Sequence, residues 1–150
     1  MDEKEYKATY QSINPTRCVF EKAINSRVWN CNRSDRFNLA DREGVSCRSQ
    51  QACARCNRLL ISLREKARFA LQLTSAENEP LPHNKELKIQ NGGLFGIAKL
   101  ATEEFDCSDI DTLLDAVSAQ YGSLDYLPYS KIMRAVVAYQ TRRHRKNRGK

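Results

Sequence analysis

No stretch of the chain approaches the roughly 18 consecutive apolar residues a membrane-spanning helix requires. The opening residues, Met1-Asp-Glu-Lys-Glu, have neither the apolar centre of a secretion signal nor the arginines of a transit peptide. The expectation is a cytoplasmic protein with no membrane partner. Histidine is scarce, at two in 150 residues, so no Ser-His-Asp or Cys-His nucleophile set can be assembled with any specificity. The glycine-rich run from Gln90 to Gly96 lacks both G-x-G-x-x-G and the Gly-Lys-Ser/Thr ending of a phosphate loop, and the acidic residues do not follow EF-hand spacing. There is no internal repeat and no long heptad run. No acid–base pair is visible to support an enzyme.

What the sequence does hold is enough apolar material for one core. Hydrophobic residues make up 41% and charged residues 29%, which fits a single domain. Six cysteines are too few for a scaffold in which disulfides replace a core. In a reducing compartment they read as thiols or metal ligands.

The net charge of +7 is unevenly spread. Residues 1–75 carry 14 basic and 8 acidic side chains, residues 76–141 carry 5 and 10, and residues 142–150 carry 6 and none. The end is therefore a basic tail of Arg142, Arg143, Arg145, Lys146, Arg148 and Lys150, a composition that attracts nucleic-acid phosphates or an acidic protein surface. It also suits the negative end of a preceding helix dipole and adds solubility.

Apolar spacing predicts a mainly α fold with residues 1–13 as a separate N-terminal segment, a helical domain over 14–141 and the tail over 142–150. Asn14-Pro15 reads as a helix start, followed by the stripe Val19, Phe20, Ala23, Ile24 and Val28, with Trp29 closing against the core. Ser34-Asp35 reads as the start of a short helix ending at Gly44. From Ser49 to Leu73, Cys53, Cys56, Leu60, Leu63, Ala67 and Ala70 recur at helical spacing. Glu77 to His83, with two prolines, reads as a loop, and Glu86 to Phe95 as a short β-hairpin around Asn91-Gly92-Gly93, with a helical turn ending in glycine as the alternative. Ser108-Asp109 opens a helix closed by Gly122, and Pro128 precedes a last helix from Tyr129.

Five cysteines, Cys18, Cys31, Cys47, Cys53 and Cys56, fall within 39 residues, while Cys107 stands apart and is assigned to packing. Only Cys53-Ala-Arg-Cys56 has C-x-x-C spacing, and no histidine lies nearby to complete a zinc knuckle. On a helix, residues three apart share a side, so Cys53 and Cys56 face one point. Cys18, Cys31 and Cys47 fall at helix ends and linkers from which thiolates can converge. Such a set suits an iron–sulfur cluster, which is held by thiolate and tolerates varied spacing. A four-thiolate Zn2+ site is the alternative, and small buried thiols filling an apolar face are another.

The segments Asn14-Pro-Thr-Arg-Cys18-Val-Phe-Glu-Lys-Ala23, Arg42-Glu-Gly-Val-Ser-Cys47, Arg55-Cys56 and Gln90-Asn-Gly-Gly-Leu94 resemble a family of small, uncharacterised bacterial four-cysteine proteins, over most of the chain. The resemblance implies Cys18, Cys31, Cys47 and Cys56 as the ligand set, with Cys53 in reserve and no ligand role for the position of Asn91. In plan the chain is similar to the WhiB-like iron–sulfur regulators, which join four cysteines, a glycine-rich turn and a basic end, although ligand order and spacing differ.

The remaining candidates read as structural. His83 is a lone loop histidine. Glu103, Glu104, Asp106, Asp109, Asp111 and Asp115 form an acidic strip of the kind that lies on solvated helix faces. Tyr126, Tyr129 and Tyr139 read as packing rather than base-stacking groups. The leading expectation is a redox- or oxygen-responsive regulator carrying an iron–sulfur cluster of the 4Fe-4S type and contacting nucleic acid through its tail. The alternatives are a zinc-stabilised nucleic-acid-binding module and a metal-free helical adaptor for other proteins.

Overall fold

A computed structural model describes residues 2–73, 80–101 and 108–141. Asp2 opens the first helix, α1 (Glu3–Ile13), by accepting a hydrogen bond from the Glu5 amide at 2.7 Å. Most of the N-terminal segment is therefore helical. Tyr6 and Tyr10 fall one turn apart on α1, and Tyr10 buries its ring against Phe37, 5.5 Å between centroids. Asn14 terminates this helix rather than starting the next: its amide donates to Tyr10 O, and its side chain donates to Val45 O at 3.0 Å. The apolar stripe that follows is mostly turn, with only α2 (Glu21–Asn25) helical.

Residues 34–44, expected as a short helix, instead belong to the hairpin β1 (Ser34–Leu39) and β2 (Arg42–Cys47), paired antiparallel with Phe37 opposite Gly44. Ala40 and Asp41 make the two-residue turn with φ of 52° and 67°, as a tight hairpin of this hand requires. Gly44 does not stop a helix. A Cβ there would sit 2.3 Å from the Phe37 ring, so the glycine is the seat on which that ring lies.

Ser49 caps α3 (Gln50–Ala70), which buries Leu60, Leu63 and Ala67 as the periodicity predicts, with Leu59 added and Ala70 left exposed at its end. The hairpin expected over 86–95 is instead part of a continuous helix, α4 (His83–Ala98). Its glycines serve close packing: a Cβ on Gly92 would lie 2.8 Å from Val136 Cα, and one on Gly96 would lie 2.9 Å from Ile132 Cα. They let α4 press directly on α6 (Tyr129–Ala138). Lys88 reinforces the crossing by donating to Val137 O and Tyr139 O at the end of α6. α5 (Ile110–Tyr121) ends where predicted, at left-handed Gly122, and a 3-10 turn (Leu124–Tyr126) leads to α6.

The mainly α class with one small hairpin thus holds, with the hairpin moved to 34–47. Phe20, Ile24, Trp29, Leu60, Leu63, Ile89, Leu94, Ile97, Leu113, Leu114, Ile132 and Val136 make one apolar core. Each such side chain contributes about 1.5–3 kcal/mol of hydrophobic stabilisation when fully buried. No helix among the described residues is long and apolar enough to cross a membrane. Cys107, Glu103, Glu104, Asp106 and the tail residues 142–150 lie outside the described residues.

Candidate metal centre

Two buried polar residues hold the segment that carries the first cysteine. Glu21 accepts from Tyr10 Oη, from Arg17 at 2.7 Å and from the Val45 amide at 2.8 Å, tying α1, α2 and β2 together. Gln90 of α4 accepts from the Ala23 amide at 3.0 Å and donates to Val19 O at 3.2 Å. Between these anchors lies Cys18, whose amide donates to Val45 O at 3.0 Å.

The other thiols arrive from separate elements. Cys31 sits in the loop after Trp29, closed by Ser34, whose hydroxyl donates to Cys31 O at 2.7 Å. Cys47 ends β2; its amide donates to Thr16 O at 2.8 Å and its Sγ to Ser49 O at 3.1 Å. Cys53 and Cys56 occupy the first two turns of α3, and the Cys53 thiol donates to Arg17 O at 3.4 Å. All five are free and half-buried, and all five line one apolar cavity with Val19, Phe20, Ala52, Ile110 and Asp111. The fold therefore brings the whole cysteine-rich stretch to one place.

Burial dominates their chemistry. It pushes the Cys18 thiol well above its ordinary value, against the opposing amide of Phe20, and the neighbouring Cys56, Cys31 and Cys47 raise it further. Cys56 is pushed up to about 12 by burial, with Arg55 pulling the other way. Burial also raises Cys31, opposed by the amides of Arg33 and Asp111, and it raises Cys53. Cys18, Cys31, Cys53 and Cys56 are thus held as neutral thiols at neutral pH, and a bound cation must displace their protons.

An ion network closes over the cavity. The buried carboxylate of Asp111 accepts from Arg33 Nε at 3.0 Å and from Arg55 Nη2 at 2.9 Å, and Arg55 extends to Asp115. Asp109 accepts from the Asn32 amide and the Asn32 side chain, both at 2.8 Å, while the Ile110 amide donates to Asn30 O at 2.8 Å. The start of α5 is thereby clamped to the Cys31 loop and to α3. Asp109 and Asp111 serve this clamp rather than forming a solvated face, while Asp115, exposed to solvent, joins it through Arg55. The sequence signal was available in Asp111 and Asp115, which are one helical turn apart and able to share one arginine.

The donor set, made only of thiols with the nearest carboxylate already engaged by two arginines, fits a soft metal or an iron–sulfur cluster. As the side chains stand, no group of three or more His, Cys, Asp or Glu among the described residues is placed to hold a metal ion. The cavity, about 20 Å³, has room for about one water. A larger group requires the lining side chains to move apart.

Other candidates are placed elsewhere. Asn91 donates to Ser26 Oγ and Tyr139 Oη and does not line the thiol cavity. His83 begins α4 with Nδ1 2.8 Å from Lys22 Nζ. Tyr129 donates to Leu124 O and carries Lys66 over its ring, while Tyr126 is exposed. No protein-family model, curated protein or solved structure matches the chain at a significant level.

Proposed function

We propose that this chain is an iron–sulfur protein in which Cys18, Cys31, Cys47 and Cys56 are the ligands and Cys53 is the reserve, acting as a redox- or oxygen-responsive regulator. The observation that carries the reading is the convergence of all five clustered cysteines, from the turn before α2, a loop, a strand end and a helix, on one apolar cavity. Thiols used only as filler need not share a cavity, and an exposed nucleophile would not be buried against raised ionisation. When bound, a cluster supplies a one-electron couple and sensitivity to oxidants. The protein's own part is to give up the thiol protons, to exclude water with Phe20, Val19 and Ile110, and to hold α5 against the site through Asp111, Arg33 and Arg55. A change at the thiols would alter how firmly that clamp closes, and so bias a surface that contacts a partner. The basic tail, Arg142, Arg143, Arg145, Lys146, Arg148 and Lys150, supplies attraction to nucleic acid or to an acidic protein surface.

One observation favours a second reading. The small cavity is nearer the size of a single ion, which supports a structural Zn2+ held by the same thiols in a nucleic-acid-binding module. The test is the visible spectrum and metal content of protein purified without oxygen, for the native chain and Cys47→Ser. Brown protein containing iron and sulfide, bleached by the substitution, is the expected result. Colourless protein with stoichiometric zinc establishes the second reading, and protein that binds neither metal refutes both and leaves the helical adaptor.

A further inference from the structure

A cleft of about 510 Å³ lies among α1, α2, the hairpin and the start of α4, a volume typical of small-molecule sites. The proposed metal chemistry makes no use of it. Its wall is rich in charge, and the pairing of those charges indicates what it would hold.

Three carboxylates line the cleft, and each already has a guanidinium partner. Both Nη atoms of Arg42 donate to Glu3 at 2.9 Å, Arg17 donates to Glu21 at 2.7 Å, and Arg27 pairs with Glu43. Arg17 and Arg42 also lie over the Tyr10 and Tyr6 rings, each 4.4 Å from the centroid, which fixes both forks as parts of the wall. Counting Arg27, which stands outside the lining, the carboxylates are matched one for one, and the ammonium groups of Lys7 and Lys22 are in excess. Lys22 Nζ lies 2.8 Å from Nδ1 of His83, which lines the same cleft, and no carboxylate among the described residues pairs with it. A concave site with surplus fixed cations selects anions.

A second cavity of about 270 Å³ shares Arg17, Glu21 and Lys22 with the cleft and has Cys18 in its own wall. A ligand spanning both hollows would therefore lie beside Cys18.

We propose that this cleft binds a small organic anion bearing at least two negative charges, as carboxylates or phosphate, with Lys7 and Lys22 as the charge-recognising residues. The proposal does not depend on the metal reading, and testing it on both the native chain and Cys47→Ser keeps the two apart.

The experiment is amide NMR of the full chain titrated at constant ionic strength with inorganic phosphate, with citrate and, as reference, with chloride. Saturable shifts confined to the neighbourhood of Lys22, Asn25, Ser26 and His83 are expected. Lys22→Ala should weaken binding about tenfold, the lower end for losing a hydrogen bond to a charged group, and exposed Lys7→Ala provides the same readout should the first variant not fold. Lys131→Ala, on α6, should leave binding unchanged. Saturation by phosphate alone assigns a phosphorylated ligand, and by citrate alone a polycarboxylate. Shifts that never saturate, that chloride reproduces, that lie outside the cleft, or that Lys131→Ala weakens equally would overturn the proposal. So would saturable binding of single-stranded DNA with none of the small anions.

Discussion

Replacing Asp111 with asparagine is the sharpest test of the clamp over the thiol cavity. The substitution keeps shape and removes one charge, so it isolates the carboxylate. Asp111 is 8% exposed in its side chain, Arg55 22% and Arg33 47%. Removing one member of a fully buried pair costs about 3–5 kcal/mol, because a charge is left without compensation. Here Arg55 keeps Asp115 and Arg33 can turn to water, so the loss falls to about 1–3 kcal/mol. For a chain of this length that is a melting-temperature drop of about 3–10 °C. Hydrogen exchange should locate the loss: the Cys31, Asn32 and Ile110 amides should exchange faster, while those of α4 and α6 should not. An unchanged melting temperature, or a loss spread evenly over the chain, would refute the idea that α5 is clamped to the Cys31 loop through this carboxylate.

Three further outcomes are expected. Gly96→Ala places a Cβ 2.9 Å from Ile132 Cα, so a cost of about 1–3 kcal/mol from overpacking should outweigh the gain of about 1 kcal/mol in helix propensity, giving a lower urea midpoint. In metal-free protein, Cys56 is raised from 9.0 to about 12 on folding. The unfolded chain then loses its proton first, so stability is intact below the unfolded value and falls as pH rises toward the folded one. The loss should be about 1 kcal/mol by about pH 10, and urea titrations of Cys56→Ala at the same pH values should show a smaller drop. Deleting residues 142–150 should weaken nucleic-acid binding and reduce its log–log salt slope by up to about 5, since six cations are removed. An unchanged slope would take the tail out of the contact.

The long α3 and the ends of α5 and α6 are legible in the sequence because one apolar face, a capping Ser49, a terminal Gly122 and a preceding Pro128 all agree. The hairpin is not legible. Its turn uses Ala40-Asp41 where Asn-Gly would be the signal, and its glycine marks a ring seat rather than a bend. α4 is misread for the same reason in reverse: Gly92, Gly93 and Gly96 resemble a turn until the helix that lies against them is known. α1 is hidden by charge, since its burial rests chiefly on Tyr10. That the five clustered cysteines come to one cavity is legible from clustering alone. The clamp of Asp111 and the anion cleft are not, because both depend on side chains from segments far apart in the chain.

The glycine-mediated crossing of α4 and α6 also has a mechanical side. With backbones in direct contact and Lys88 fastened to the last carbonyls of α6, no compressible layer of side chains separates the two rods at Gly92 and Gly96. Any load at the end of α6 is delivered to α4 with little slack. α4 in turn grips the Cys18 turn through Gln90. The end of the domain and the first thiol are thus joined by a stiff linkage of two rods and one amide.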